Sequence, residues 1–232
     1  MLADDREKLG HFIRHHRPSS TAMHLILAIL VAVTGSFLLV AVFQCLYLGL
    51  LGVHIHEVRI FVGPTILSIP VGKTKIRIGL IPIGCTLNHE RDTLRRKPLL
   101  ARWFFYLMGA PVCLGLAFLL LGPAGAWDQF TVAFREIPQG ALSPIAKAAP
   151  YLSKWPSLAR VTPILAMGTI AAKIAAFYLL PLGGTAITHI AADLGETRNS
   201  AFFQKLASLN AMLSIAIAGL WIFALFHRLF LA

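Results

Sequence analysis

Long apolar stretches alternate with shorter polar segments along most of the chain. A helix that crosses a bilayer needs about 20 consecutive, mainly apolar residues. About four stretches meet this length, at residues 25–51, 99–121, 161–182 and 206–226. The pattern predicts an all-α polytopic membrane protein with about four transmembrane helices. We expect a polar N-terminal tail at residues 1–22, a single membrane domain at residues 23–232 and an extramembrane loop at residues 122–160.

A different pattern, the alternation of apolar and polar residues, occupies residues 53–84. Lys75 and Arg77 alternate with isoleucines, so in a strand the charges share one face and the isoleucines the other. Glycine and proline at Gly63 and Pro64 are typical turn residues. The region therefore predicts a membrane-associated β-hairpin between the first and second spans, with its apolar face against lipid or against the transmembrane helices.

The composition favours lipid over water as the main solvent. Hydrophobic residues make up 57% of the chain and charged residues 13%, against about 25% charged residues in a typical soluble domain. A soluble fold of 232 residues cannot bury that much apolar surface, which excludes a soluble enzyme. The basic residues behind the net charge of +11 lie mainly between the spans, most densely at residues 91–102, where they face anionic headgroups. We expect lipid and membrane proteins, and no nucleic acid, as partners.

Six short phrases follow one another along the membrane domain. The most specific are GVHIHEVRIFVGP at residues 52–64 and IRIGLIPIG at residues 76–84. They are followed by RRKP at residues 95–98, GAP at residues 109–111, LSPIA at residues 142–146 and PLGG at residues 181–184. In this order, the phrases resemble those of the site-2 protease family of intramembrane zinc metalloproteases.

The resemblance implies both a fold and a place for the chemistry. Family members have three core helices, a β-hairpin after the first, the zinc motif HExxH on the first span and an aspartate ligand near the third. Gapless matching puts Val40, Ala41 and Gln44 at the HExxH positions and Leu182 at the aspartate. Zinc hydrolysis needs ligand side chains and a general base, which valine, alanine and leucine do not supply. The resemblance therefore implies an inactive member without a zinc cofactor, and not an enzyme.

A second set of polar residues leaves another interpretation open. His54, His56 and Glu57 lie together just after the first span, and the two histidines would share one face of a strand. His189 and Asp193 are four residues apart on a predicted helix, and therefore also share a face. Combined, these five residues would form an interfacial metal site in a membrane enzyme with non-standard ligands.

One charged side chain and several small residues mark the spans. Lys173 lies near the middle of the third span, where an unpaired charge costs at least about 2.5 kcal/mol. Its partner is a backbone carbonyl, Gln44 or another subunit, and a small transporter is an alternative function. Small residues let transmembrane helices pack closely. The candidate partner-binding set is Ala41, Gln44, Gly109, Ala110, Gly115 and Lys173.

The favoured interpretation is a scaffold, assembly or regulatory subunit that binds other integral membrane proteins in a larger complex. It follows from a retained membrane fold in which every residue required for zinc chemistry is replaced. The resemblance also leads us to expect the bacterial inner membrane as the location.

Overall fold

The computed structural model describes residues 20–148, 151, 162–180, 185–197 and 201–230. Within them the chain is mostly helical, with one small sheet. The helices are α1 Ser20–Leu50, α2 Arg91–Arg95, α3 Leu99–Leu107, α4 Gly109–Leu142, α5 Pro163–Leu179, α6 Ala186–Thr197 and α7 Ala201–Phe230. A π-helical turn, Pro144–Ala148, follows α4. The strands are β1 Ile55–Val71 and β2 Thr74–His89. The predicted tail lies outside the described residues up to residue 19.

Two of the described helices are long and apolar enough to cross a membrane. One is Ile29–Leu50 within α1, which confirms a helix of sufficient length at the first predicted span. The other is α4, which has 34 residues. The helix α5 and the run Ile215–Ala224 of α7 are apolar but shorter. The described residues therefore contain two full-length candidate spans, where the hydrophobic pattern predicts about four.

The second predicted span, residues 99–121, falls on two helices, and the second of these continues beyond the predicted end of the span. α3 ends at Leu107, and α4 runs from Gly109 through Gly122 to Leu142. The φ of 73° and ψ of 165° at Gly122 are not helical, so α4 consists of two helical segments that meet at a kink at this glycine. The helical structure does break at residue 122, but the prediction of a loop at residues 122–160 is wrong for residues 123–142, which form the second helical segment of α4. Gly122 and the proline after it produce a bend, because proline is tolerated where a helical segment restarts.

Small side chains form the core between α1, α4 and α5. The buried members are Val40, Cys113, Ala117, Ala126, Phe130, Ala133, Ala171, Ala172, Ala175 and Ala176. Alanine lets two helix axes approach closely, so the contact area between backbones is large. The helix α7 joins this unit through Trp221, whose Nε1 donates to the carbonyl oxygen of Ile137 at 3.1 Å. The indole ring fills the space that a side chain at Gly140 would need.

The sheet is a long antiparallel ribbon of β1 and β2 that folds back on itself. Its tip is the turn at Gly72, and its base pairs residues 55–60 with residues 85–89. Residues 57–60 have a second set of partners, residues 75–78. In this second set the residue numbers of both partners increase in the same direction. The segments 57–60 and 75–78 therefore run parallel to each other. The folded ribbon is therefore wider than a simple hairpin.

The fold-back depends on the backbone at residues 61–63. Phe61 has a φ of 72° and Gly63 a φ of 94°, and a positive φ is costly for phenylalanine but not for glycine. On the facing segment, a Cβ at Gly79 would lie 2.6 Å from the carbonyl oxygen of Val62 and 2.7 Å from that of Phe61. Only glycine at position 79 lets the two backbones approach this closely, so Gly79 permits the bend.

The folded sheet has one apolar and one charged face, because residues that pair across strands point to the same side. The register aligns Val58, Ile60, Leu67, Ile69, Ile76, Ile78 and Leu87 on one face. It aligns Glu57, Arg59, Lys75, Arg77 and Asn88 on the other. Glu57 forms ion pairs with Arg59 at 3.3 Å and with Arg77 at 3.4 Å. The predicted hairpin is confirmed, and it extends beyond residue 84 to His89.

Candidate functional site

A cleft of about 840 Å³ opens between the base of the sheet and helices α2, α3 and α6. The end of α1 and the end of α5 also contribute to its lining. Representative lining residues are Gln44, Asn88, Arg91, Phe105, Tyr178 and His189. Pockets of this volume hold small molecules or parts of larger ligands. The combination of aromatic, amide and basic side chains makes the cleft the candidate functional site.

A small apolar cluster fixes the elements around the cleft. Its buried members are Leu48, Val53, Leu94 and Phe105. The cluster joins the end of α1 to α2 and α3, and it holds the five-residue helix α2 by its one buried side chain, Leu94. A hydrogen bond from Tyr47 Oη to the carbonyl oxygen of Ala101, at 3.1 Å, adds a second link between α1 and α3. The cleft wall is therefore supported by packing from behind.

A buried ion pair joins two walls of the cleft. Arg102 Nη1 of α3 lies 3.0 Å from Asp193 Oδ1 of α6, and the side chains are 9% and 6% exposed. Buried charges are tolerated when they are paired, and removing one partner is strongly destabilising. The pair fixes α3 against α6. It also balances the charge of Asp193, the one acidic residue of the lining among the described residues.

Arg91 and Arg95 of α2 add positive charge to the cleft lining. They are four residues apart, so they lie one above the other on the same side of the helix. Their acidic neighbours Glu90 and Asp92 are exposed and are not part of the lining. Among the described residues, the lining therefore contains two arginines and one acidic residue, Asp193, which is paired with Arg102.

Two histidines of the lining lie against aromatic rings. The ring centroid of His89 is 5.2 Å from that of Phe105, and His189 stacks on Tyr106 with centroids 5.3 Å apart. Desolvation lowers the pKa of His89 below its usual value, and the positive charge of Arg91 acts in the same direction. The same two causes lower the pKa of His189. Both imidazoles are therefore mainly neutral near pH 7, where they donate and accept hydrogen bonds.

The positions that match the zinc motif are divided between the core and the cleft. Val40 is 2% exposed and belongs to the alanine-rich core, and Ala41 is 6% exposed. Gln44, one turn further along α1, lines the cleft. Leu182, which matches the third ligand, lies outside the described residues. Of the positions that the resemblance aligns with the zinc motif, the polar Gln44 therefore faces the cleft, whereas the first two are packed inside the chain.

The five residues considered as alternative metal ligands do not form one group. Glu57 pairs with arginines on the charged face of the sheet, whereas His189 and Asp193 line the cleft. The rings of His54 and His56 lie edge to face, with centroids 4.9 Å apart. Within the described part of the chain, no three histidine, cysteine, aspartate or glutamate residues are arranged to hold a metal ion.

The predicted partner-binding residues differ in whether the chain itself buries them or leaves them accessible to another helix. Ala41, Gly109 and Ala110 are buried by the chain itself. A Cβ at Gly109 would lie 2.6 Å from the ring of Tyr178, so this glycine contacts α5 rather than an open surface. Gly115 differs, since nothing lies within 4 Å of a Cβ built there. Gly115 is therefore the glycine of the set that is open to another helix.

The partner of Lys173 is Glu136 of α4, with which it forms an ion pair. The expectation of a backbone carbonyl, Gln44 or another subunit is wrong. It fails because the sequence pattern assigns Glu136 to a loop, whereas α4 continues as a helix beside α5 and brings the carboxylate to the lysine. Lys173 is therefore paired within its own chain.

Sequence reasoning missed the cleft and the roles of its basic residues. It treats Arg91, Arg95 and Arg102 alike, as charges that flank a span. The structure separates them, because Arg102 is buried against Asp193 while the other two line the cleft. The spacing of four residues between Arg91 and Arg95 indicates that the two side chains share one side of a helix. Nothing in the sequence indicates that α6 lies opposite them across a cleft.

Comparison with protein-family models, with curated proteins and with solved structures finds no match to this chain.

Proposed function

We propose that the chain is a catalytically inactive membrane protein of the site-2 protease type, which binds other integral membrane proteins as a subunit of a larger assembly. The proposal includes four spans, in which α5 and α7 cross the membrane together with α1 and α4. The bacterial inner membrane is the location expected from the family resemblance. Three features of the chain support the proposal.

The first feature is the chemistry at the motif positions. Val40 and Ala41, which match the first ligand and the general base, are buried apolar side chains. Valine has no electron pair to offer zinc, and alanine cannot take a proton from water. Gln44 is polar, but an amide is not among the usual zinc ligands. These substitutions support a role that does not depend on proteolysis.

The second feature, which carries the proposal, is the uncovered apolar face of the sheet. Near its tip, Leu67, Ile69 and Val71 are 49%, 42% and 54% exposed. The opposite face carries Lys75 and Arg77. A contiguous apolar face is unfavourable in water and typical of a surface that contacts lipid or another protein. Beside a spanning helix, this face suits the membrane-embedded part of a partner.

The third feature is a small residue on the outside of α4. Gly115 has open space where a side chain would be. The exposed side chains of Phe118 and Leu119 follow it by about one helical turn. A glycine beside larger apolar side chains gives a second transmembrane helix a place of close approach. The surface therefore favours stable helix association.

Purification in mild detergent tests the partner-binding role. Gly115→Leu blocks the approach of a helix, and Ile69→Lys places a charge on the apolar sheet face. We expect both substitutions to remove a co-purifying membrane protein while the chain stays inserted. The matched controls are Gly219→Leu on α7, where a Cβ also meets nothing within 4 Å, and Ser68→Lys on the opposite sheet face.

Two results would overturn the proposal. The first is a chain that is monodisperse and free of partners after mild extraction, with no band altered by Gly115→Leu or Ile69→Lys. The second concerns the inactive role. Stoichiometric zinc that is lost in His54→Ala, His56→Ala or His189→Ala, together with cleavage of a transmembrane substrate, would make the chain an enzyme with non-standard ligands.

A further inference from the structure

A row of four rings lines one side of the cleft. The ring centroid of Phe105 is 5.2 Å from that of His89 and 5.5 Å from that of Tyr106. Tyr106 in turn stacks on His189, with centroids 5.3 Å apart. All four residues belong to the cleft lining, and they come from the end of β2, from α3 and from α6. Three separate elements therefore build one aromatic wall.

The aromatic wall is held in place by the rest of the fold. Phe105 is buried and belongs to the apolar cluster with Leu48 and Leu94, so its ring supports His89 from the inside of the fold. The stack on Tyr106 is nearly parallel, with an interplanar angle of 15°, and it fixes the plane of the His189 ring. Both imidazoles are therefore positioned before a ligand binds, which reduces the entropy lost on binding.

The two imidazoles offer uncharged hydrogen-bonding groups to the cleft. Desolvation lowers the pKa values of His89 and His189, so both side chains are mainly neutral near pH 7. Nδ1 of His89 is buried, which leaves Nε2 as the nitrogen that can face the cleft. A nitrogen of a neutral imidazole either donates its N–H or accepts through its lone pair. Each histidine can therefore bind a carbonyl or a hydroxyl oxygen of an uncharged ligand.

The amides of the lining fit the same kind of ligand. Gln44 and Asn88 line the cleft, and an amide offers hydrogen-bond donors and an acceptor without a charge. Flat rings pack against aromatic side chains in offset or edge-to-face contacts. A planar ring with two carbonyl oxygens, as in a quinone, matches both features, because the ring contacts the aromatic wall and the oxygens meet uncharged donors.

The position of the cleft along the chain fits a ligand that is dissolved in the membrane. Gln44 lies in the last two turns of α1, and the candidate span ends at Leu50. The end of a span lies at the level of the headgroups when the helix crosses a bilayer. Leu87 lines the cleft and belongs to the apolar face of the sheet. The cleft therefore continues towards an apolar surface, which matches a ring with a hydrocarbon tail.

We propose that the cleft binds the ring of a quinone, which packs against the aromatic wall and is hydrogen-bonded by His89 and His189. The apolar tail of a membrane quinone leaves the cleft along the apolar face of the sheet. This inference does not rest on the proposed partner-binding role, and its readout is a small molecule rather than a protein. Failure of either proposal therefore leaves the other standing.

The test measures binding to the full chain purified in mild detergent. The probes are decylubiquinone, menadione and decylbenzene, each titrated by calorimetry against the protein and against empty micelles. We expect saturable binding of decylubiquinone at one molecule per chain. The double substitution His89→Phe with His189→Phe keeps both rings of the wall but removes their hydrogen bonds. It should weaken binding at least about tenfold, which corresponds to about 1.4 kcal/mol.

The matched control changes two histidines outside the cleft. His54→Phe with His56→Phe also replaces two imidazoles whose rings contact each other, and neither residue is part of the lining. We expect this variant to bind decylubiquinone like the unaltered chain. If the first double variant is not recovered folded, His189→Phe alone is compared with His56→Phe, and equal affinities overturn the site.

The probes distinguish the sources of the ring. Tighter binding of decylubiquinone than of menadione assigns a membrane quinone, whereas equal binding assigns a soluble ring compound, and both support the site. Absence of saturable binding of both quinones overturns it. So does equal loss in the two double variants, or decylbenzene binding as strong as decylubiquinone binding, since the carbonyl oxygens then contribute nothing.

The infrared spectrum of bound decylubiquinone tests the hydrogen bonds directly. A hydrogen bond weakens the carbonyl bond, so we expect the carbonyl stretch to lie at a lower frequency in the protein than in empty micelles. The shift should remain in the control variant and diminish in the double variant of His89 and His189. A shift of the same size in both variants would overturn the assignment of these two histidines.

Discussion

Lys173 of α5 and Glu136 of α4 form an ion pair whose side chains are 23% and 19% exposed. The pair lies on two helices that share the alanine-rich core, which offers few other polar groups. The ion pair forms only in the alignment of α4 and α5 that brings the two charges together, and a partly buried charge is tolerated when it is paired in this way. It also explains how a lysine is accommodated near the middle of a predicted span.

Glu136→Gln should lower the stability of the chain by about 1–3 kcal/mol, because Lys173 then keeps a mostly buried charge without its counter-ion. Thermal unfolding in detergent measures the loss. Asp128→Asn, an exposed change on the same helix, is the control and should have little effect. Exchanging the two charges, by Glu136→Lys with Lys173→Glu, should recover part of the stability. Equal behaviour of Glu136→Gln and Asp128→Asn would show that the pair is unimportant.

Gly109→Ala and Gly115→Ala should have opposite effects on stability. At Gly109 the new methyl group would overlap the ring of Tyr178, and overpacking of this kind costs about 1–3 kcal/mol. At Gly115 the methyl group meets open space, and alanine in a helix is favoured over glycine by about 0.5–1 kcal/mol. Unfolding temperatures measured side by side test the difference. A stable Gly109→Ala variant would contradict the close contact between α4 and α5.

Gly79→Ala should open the folded ribbon. A Cβ at this position would collide with the carbonyl oxygens of Phe61 and Val62, so the two segments must separate. We expect faster limited proteolysis within β1 and β2 than in the unaltered chain. Gly72→Asn is the control, because asparagine tolerates the positive φ of the turn. An unchanged cleavage rate in Gly79→Ala would mean that the fold-back does not depend on this contact.

Acidification should destabilise the region of the cleft through His89 and His189. Their pKa values are lower in the folded chain than in the unfolded one, so between the two values the unfolded state binds more protons. Stability then rises with pH in this window. The contribution of the two neutral histidines to stability is fully present above the ordinary histidine pKa of about 6.5, and it is lost as the pH falls below that value.

The measurement compares unfolding temperatures at about pH 7.5 and pH 5. We expect a lower value at the acidic pH in the unaltered chain. Replacing both histidines, by His89→Asn with His189→Asn, should reduce this difference. If the double variant keeps the full difference, other groups are responsible for the pH dependence.

The sequence by itself determined the elements that depend on local pattern. The continuous apolar run of α1 fixes a helix of spanning length, since its length and composition are properties of neighbouring residues. The alternation around Lys75 and Arg77 fixes strands with an apolar and a charged face, since successive side chains point to opposite sides of a strand. The two faces therefore follow from local order alone, without knowledge of the partner strands.

Only the tertiary structure decided which distant residues meet. Gly122 and Pro123 indicate a loop locally, and the backbone at Gly122 is not helical, but a second helical segment follows and packs against α5 up to Leu142. This packing brings Glu136 to Lys173. The cleft has the same origin, because its basic wall on α2 and its facing wall on α6 are far apart in sequence. The energy of such contacts comes from burial and charge pairing across the fold, which no local pattern of residues encodes.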